Sequence, residues 1–136
     1  MDNAAALDFI RRHHRAVLST TRADGEPQMS PVTAGVDDDD KVVVSTRETA
    51  AKAKNVRRRP RASMVVLNDA FFGEWVQVEG PVEIVTLPKA MDGLIAYYRQ
   101  LSGEHPDWDE YRAAMESERR VLLRLTVERS GPTVSG

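Results

Sequence analysis

The segment from residue 75 to residue 85 constrains the fold more than any other part of the chain. Its even positions are Val76, Val78, Gly80, Val82 and Ile84, and its odd positions include glutamine and glutamate. This alternation is typical of a β-strand that buries one face. The Gly-Pro pair at positions 80–81 predicts a bend or a barrel corner within that strand. Residues 121–128 repeat the alternation and predict a last strand.

Four further strands and four helices follow from the remaining patterns. An Asp-Gly turn at positions 24–25 predicts a hairpin. The apolar run 42–44 predicts burial on both faces, and Ser45 to Glu48 fits a capping box that opens a helix. The other predicted strands are 15–21, 28–36, 41–46 and 61–68, and the predicted helices are 4–13, from the capping box to 58, 88–102 and 107–117.

These elements predict a mainly β (α+β) fold, a six-stranded antiparallel barrel with flanking helices. The length of 136 residues fits a single domain, 1–136, and we expect the Ser-, Gly- and Pro-rich tail, 130–136, to be flexible. A barrel this small is filled by its own side chains, so a ligand of cofactor size has to lie outside it.

Composition excludes several functions. The net charge of −2 argues against a globally basic nucleic-acid binder, and the absence of cysteine excludes disulfides and thiolate nucleophiles. The three histidines are too scattered to predict a metal site, and no nucleophile motif identifies a catalytic residue. The chain shows no signal peptide and no apolar run of membrane-spanning length, so we expect a cytoplasmic protein without a membrane partner.

The strongest local signal is a basic segment that follows the third predicted strand. Six cations occur between residues 52 and 61 with no acid among them. Three features together favour the binding of an anion. They are the hydroxyls of Ser45 and Thr46, the open N–H groups at a helix start, and the cation Lys52. Asn55 shares the helix face of Lys52. A solvated basic helix explains the same pattern equally well.

Trp75 could stack on a flat ring, but most tryptophans are core or interface residues.

The order of these segments resembles the pyridoxamine 5′-phosphate oxidase-like split β-barrels. More narrowly, it is similar to the group B flavin/deazaflavin oxidoreductases that use coenzyme F420. The resemblance covers roughly residues 5–127. The segments that carry it are 16–20 (AVLST), 24–30 (DGEPQMS), 52–63 (KAKNVRRRPRAS), 79–80 (EG), 98–112 (YRQLSGEHPDWDEYR) and 119–123 (RRVLL).

The resemblance implies a homodimer with two equivalent cofactor grooves at the interface. Lys52 is then the main phosphate cation, with Asn55 in support, and Trp75 closes the groove from the partner subunit. Ala50 stands where this clade often has a second phosphate-binding arginine. The implied groove residues are Gln28, Met29, Ser30, Pro31 and Val32 on the ring side, Val44, Ser45 and Thr46 beside the ribityl chain and phosphate, and Ala51, Lys52, Asn55 and Trp75.

The implied activity is hydride transfer from reduced coenzyme F420 to an unsaturated organic small molecule. Because the cofactor carries this chemistry, no catalytic side chain is needed in the sequence. Three alternatives stay open on the residues alone. They are an FMN-dependent oxidoreductase on the same barrel, a non-catalytic binder of cofactor, haem or lipid, and a structural or DNA-associated protein.

Overall fold

A computed structural model describes residues 1–133 and shows a single antiparallel sheet with four helices packed around it. The strands are β1 (Arg15–Thr21), β2 (Pro27–Thr33), β3 (Gly35–Val36), β4 (Val42–Arg47), β5 (Arg61–Leu67), β6 (Trp75–Val85), β7 (Arg120–Leu125) and β8 (Arg129–Ser130). The helices are α1 (Asn3–Arg12), α2 (Ala51–Arg58), α3 (Met91–Ser102) and α4 (Trp108–Ser117).

The sheet curls into a half-barrel with the strand order β2-β1-β5-β6-β7-β4-β3, and β8 pairs with β6. This confirms the predicted antiparallel split barrel with flanking helices. The long strand β6 serves both halves, because Trp75–Pro81 pairs with β5 and Val82–Val85 pairs with β7. The bend predicted at Gly80 therefore lies where β6 changes partners.

The second predicted strand, 28–36, is two strands in the structure. β2 pairs with β1, whereas β3 pairs with β4, and the buried Ala34 stands between them. The backbone N–H of Ala34 donates to the carbonyl of His14, outside both ladders. This division, together with the short β8, accounts for eight strands where six were predicted.

Two apolar cores share the strand β4. Val42 and Val44 belong to the core inside the barrel, whereas Val43, between them, belongs to a second core under α3 and α4. All three side chains are buried, which confirms the prediction made from the apolar run. Successive side chains of a strand point to opposite faces, so one strand contributes to both cores.

The predicted capping box at residues 45–48 is wrong. β4 continues to Arg47, since Ser45, Thr46 and Arg47 pair with β7. α2 begins only at Ala51, and its N-cap, Ala50, forms no side-chain cap hydrogen bond. Strand pairing over six residues outweighs a local capping preference worth about 1 kcal/mol.

The described part of the C-terminal tail is hydrogen-bonded to β6. Ser130 pairs with Val78, and the N–H of Gly131 donates to the carbonyl of Gln77 over 2.8 Å. The flexibility predicted for the tail concerns residues 130–136, of which 134–136 lie outside the described residues. Up to Gly131 the backbone continues the sheet.

Four rings form a cluster between α3 and α4. Tyr98, His105, Trp108 and Tyr111 contact one another with ring centroids 5.1 to 5.8 Å apart. The buried hydroxyl of Tyr111 donates to the carbonyl of Leu94 over 2.8 Å. Burial raises the pKa of Tyr111 to about 12, because the phenolate would lose its hydration.

This raised pKa predicts a loss of stability in alkali. The folded chain holds the Tyr111 proton up to about pH 12, whereas the unfolded chain releases it near pH 10. Stability from this group is therefore complete below pH 10 and falls by about 2 kcal/mol as the pH rises to 12. Urea unfolding at pH 9, 10 and 11 measures how steeply the free energy of unfolding falls with pH, and Tyr111→Phe is the control. An equal slope in the variant would assign the loss to other groups.

Candidate functional site

The half-barrel has an open seam between β2 and β4. β3 pairs only with Val42 and Val43 of β4, so the rest of β4 has β7 as its single described neighbour. β2 likewise pairs only with β1. Each strand therefore presents backbone N–H and C=O groups along its outer edge. α2 follows β4 after three residues.

Lys52 lies in the first turn of α2 with its ammonium group unengaged. Its side chain is half-buried and forms no hydrogen bond or ion pair with residues 1–133. The hydroxyls of Ser45 and Thr46 likewise form none with that part of the chain. Because no side chain caps α2, the N–H groups of its first turn are also open. This combination of a cation and free N–H groups can bind a phosphate.

Ser30, on β2, has a buried hydroxyl with no hydrogen-bond partner among the described residues. Its side chain lies on the same face of β2 as Gln28 and Val32, and Val32 packs against the barrel core. A buried hydroxyl without a partner costs about 1–3 kcal/mol. Ser30 therefore offers a polar contact to a molecule placed in the seam.

Val44 and Thr46 point into the barrel rather than into the seam. Both side chains are buried, and Val44 packs with Leu18 and Val56 around the barrel interior. Only the backbone edge of Val44 is available to a bound molecule. Ser45 lies on the opposite face of β4, as does the exposed Arg47.

Asn55 is buried at the centre of a polar network that connects α2 to the sheet. Its amide nitrogen donates to the hydroxyl of Thr20 over 3.1 Å, and its amide oxygen accepts from Arg58 over 2.8 Å. Arg58 also donates to the carbonyl of Thr21, and the Thr20 hydroxyl donates to the amide oxygen of Gln28 over 3.4 Å. The predicted residues Gln28 and Asn55 are thus brought together through Thr20, and Asn55 positions Arg58.

Replacing Asn55 with alanine should lower the free energy of unfolding by about 2 kcal/mol, because the buried Thr20 hydroxyl and Arg58 both lose a partner. Urea denaturation measures the change. Lys54→Ala, an exposed position on the same helix, is the control and should stay within about 0.5 kcal/mol of wild type. Equal stability of the two variants would show that the network contributes nothing.

Trp75 lies at the other end of the sheet from this network. It pairs with Leu67, which pairs with Arg15 at the start of β1, whereas Asn55 contacts Thr20 near the end of β1. Five residues of strand separate Arg15 from Thr20, or roughly 17 Å. The structure therefore does not bring Trp75 and Lys52 together within one subunit.

Met29 and Pro31 are exposed on the outer face of β2, opposite to Ser30. Pro31 continues a row of side chains across the outer face of the sheet, through Val17 and Val65, and Met29 continues a parallel row through Ser19 and Ser63. None of these side chains belongs to either core. Of the predicted groove residues on β2, two thus face outwards and three face inwards.

A separate cavity of about 440 Å³ lies between α3 and the acidic turn of residues 37–40. Its rim contains Arg124, whose guanidinium binds Asp37 and Glu83 over 2.8 Å and Asp39 over 3.0 Å. Hydrogen bonds to Asp37 and Glu83 raise the pKa of Arg124 above its ordinary value. Four consecutive aspartates in a turn are typical of a solvated hairpin tip, and this local pattern does not reveal the ion pairs with Arg124. A charged residue within the last apolar strand was the available signal.

No helix among residues 1–133 is both long and apolar enough to cross a membrane. In the same part of the chain, no three histidine, aspartate or glutamate side chains are grouped to hold a metal ion.

Comparison with known proteins shows the family to which this barrel belongs. Residues 3–132 match the pyridoxamine 5′-phosphate oxidase family, and the chain belongs to it. A curated relative, the F420H(2)-dependent biliverdin reductase of Mycobacterium tuberculosis, is 26% identical over 124 residues, which cover 91% of this chain and 82% of that protein.

Solved structures show the same fold. The conserved hypothetical protein Rv2991 of Mycobacterium tuberculosis superposes with a TM-score of 0.78 at 24% identity, covering 100% of this chain and 93% of that one. A structure described as an F420 reductase superposes with a TM-score of 0.70 at 20% identity, covering 91% and 94% of the two chains. The chain is thus similar to oxidoreductases of this family.

Proposed function

We propose that this protein is a coenzyme F420-dependent oxidoreductase that reduces an unsaturated organic small molecule. The observation that carries the proposal is the unengaged Lys52 at the uncapped start of α2, beside a seam that contains the unpartnered Ser30 hydroxyl. The relationship to the F420H(2)-dependent biliverdin reductase supports the choice of coenzyme. When bound, the reduced deazaflavin supplies the hydride.

The residues of this chain bind the coenzyme and orient it. Lys52 and the open N–H groups from Ala51 onwards hold the coenzyme phosphate, with the backbone edge of Ser45 and Thr46 at its side. Gln28, Met29, Ser30, Pro31 and Val32 provide the strand along which the ring lies. The Ser30 hydroxyl then gains the hydrogen bond that it lacks within the described chain. Holding the coenzyme and acceptor at about 3–3.5 Å is the protein's main contribution to rate.

The proposal includes a cytoplasmic homodimer. The outer face of β2, β1 and β5 carries a row of apolar side chains that belong to neither core, Pro31, Val17 and Val65. Self-association through this face is isologous, so each subunit meets the same surface of its partner. Trp75 borders this face and lies far from the Lys52 of its own subunit, which fits a contribution to the partner's groove.

FMN is the second candidate coenzyme, favoured by the match to the pyridoxamine 5′-phosphate oxidase family. FMN also carries a single phosphate and a tricyclic ring, so the same cation and strand edge suit it. A yellow purified protein that contains FMN would favour this candidate.

A coenzyme titration tests the proposal. Purified protein is titrated with F420 and with FMN, and binding is followed by coenzyme fluorescence. The reduced coenzyme is then mixed with menadione, a flat quinone, and its oxidation is followed by absorbance. We expect micromolar F420 binding, weaker FMN binding and oxidation above the rate without protein. No binding of either coenzyme would overturn the proposal, and binding without oxidation would indicate a non-catalytic carrier.

A further inference from the structure

A single buried hydroxyl connects the helix at one end of the seam to the strand along its edge. Thr20, near the end of β1, is 2% exposed. Its hydroxyl accepts from the amide nitrogen of Asn55 over 3.1 Å and donates to the amide oxygen of Gln28 over 3.4 Å. Asn55 lies on α2, three residues after Lys52. Gln28 lies on β2, and its side chain shares a face with that of Ser30. Thr20 therefore joins the helix that carries the proposed phosphate cation to the strand proposed for the ring.

Hydrogen bonds, rather than apolar contacts, fix where α2 lies along β1. The apolar side chains of α2 are buried in the barrel core, but apolar contacts have no preferred direction and tolerate small shifts. Within residues 1–133, two side-chain hydrogen bonds run from α2 to β1. One joins Asn55 to Thr20, and the other joins Arg58 to the carbonyl of Thr21 over 3.2 Å. Hydrogen bonds weaken when their distance or angle changes, so these two hold α2 in one position.

The Gln28 amide is held at both of its polar atoms. Its oxygen accepts from Thr20, and its nitrogen donates to the carbonyl of Met29 over 3.2 Å. Thr20 and Gln28 are direct partners in the pairing of β1 with β2, so their side chains lie side by side on the inner face. Loss of the Thr20 hydroxyl therefore releases α2 and the Gln28 side chain at the same time.

We propose that Thr20 is a positioning residue that sets the distance between the phosphate site at Lys52 and the ring strand β2. The inference rests on the proposed function and adds a rule of selectivity. The site binds ligands whose phosphate and planar ring are separated by the distance that Thr20 fixes. Two groups of one ligand reinforce each other only when both subsites can be reached together. Because the subsites are already held apart at this distance, binding does not spend free energy on ordering them.

Two ligands that differ at the phosphate end test the inference. One is coenzyme F420, and the other is the phosphate-free deazaflavin, which keeps the ring and the ribityl chain. Binding of each ligand to wild type and to Thr20→Val is followed by fluorescence. Valine resembles threonine in shape but has no hydroxyl. We expect F420 to bind about tenfold more weakly to the variant. The affinity for the phosphate-free deazaflavin should change by less than about twofold, because that ligand contacts only the ring strand.

Two further variants control for the substitution itself. Thr20→Ser keeps the hydroxyl and should bind F420 within about threefold of wild type. Thr21→Val makes the same replacement at the next residue, whose hydroxyl forms no hydrogen bond within residues 1–133, and it should leave both affinities unchanged. Urea denaturation establishes that each variant is folded. If Thr20→Val does not fold, Gln28→Met breaks the link from the half-buried side, and weakening of F420 alone supports the inference, whereas any other result overturns it.

A double-mutant cycle separates positioning from a general loss of structure. In Lys52→Ala the phosphate has lost its cation, so adding Thr20→Val should weaken F420 binding further by less than about twofold. A general loss of structure would instead lower the affinity by the same factor in both backgrounds. Additive effects, or equal weakening of the two ligands by Thr20→Val, would overturn the inference and leave the coenzyme assignment intact. A wild-type protein that binds neither F420 nor FMN would overturn the proposed function, and the inference with it.

Discussion

Lys52→Ala is expected to weaken coenzyme F420 binding by about ten- to a hundredfold, while leaving the fold intact. A hydrogen bond to a charged group contributes about 1.5–3 kcal/mol. Removal of the Lys52 ammonium group should therefore cost most of this binding free energy. Lys52 has no other partner in residues 1–133, so its removal disturbs no structural contact there. A fluorescence titration of F420 against wild type and variant measures the ratio of dissociation constants.

The exposed Lys54 on the same helix provides the matched control for charge alone. Lys54→Ala removes the same net charge at a position two residues away, and we expect less than a threefold change in affinity. Lys52→Arg should retain much of the affinity, because arginine also donates to phosphate. Equal weakening by the two alanine variants would mean that a diffuse basic surface binds the coenzyme, and unchanged affinity in Lys52→Ala would place the groove elsewhere.

Gly80→Ala is expected to destabilise the fold by about 3 kcal/mol or more. A Cβ built at Gly80 lies 1.8 Å from the backbone carbonyl oxygen of Thr126 and 3.1 Å from the backbone nitrogen of Glu128. These are backbone atoms, so no rotamer change relieves the contact, and the strands have to separate. Urea denaturation followed by circular dichroism measures the change in the free energy of unfolding.

Gly25→Ala is the control for adding a methyl group at a glycine. Gly25 has φ +91° at a hairpin turn, with nothing within 4 Å of the added Cβ. Its substitution should cost only about 1 kcal/mol of backbone strain. If Gly80→Ala is no more harmful than Gly25→Ala, β6 and the segment after β7 approach each other less closely than the structure shows.

Much of the fold was predictable because its strands alternate clearly. The predicted bounds of β1 and β6 agree with the structure to the residue, and the apolar run at Val42 to Val44 is buried on both faces as expected. A strand that buries one face has apolar residues at every second position, so it can be recognised in the sequence before the strand order is known. The exchange of partners along β6 was also indicated, by Gly80 and Pro81.

Other features depend on pairing that a local pattern does not contain. Ser45 to Glu48 has the residue types of a helix start, yet β7 extends β4 through that segment as far as Arg47. Gly35 follows the break at Ala34, but a lone glycine inside a predicted strand does not show that the chain changes there from one neighbouring strand to another. Tertiary pairing decides both cases, and the partner that extends β4 is far away in the sequence.

For the candidate site, the sequence indicated residues rather than their geometry. Lys52 has an unengaged ammonium group and Ser30 has a hydroxyl without a partner among the described residues, so both stay predicted contacts of a ligand. Asn55 was grouped with Lys52 because they share a helix face, but its amide is committed to Thr20 and Arg58. Helical spacing reveals which residues are neighbours and does not reveal which of them is already engaged.

The double role of β4 has a thermodynamic consequence. Val43 fills the core under α3 and α4, and Val42 and Val44, its neighbours in the chain, fill the barrel. Loss of this strand from the sheet empties both interiors at once, so neither half can melt while the other remains ordered. Calorimetry should therefore record a single heat-absorption peak whose van't Hoff and calorimetric enthalpies agree.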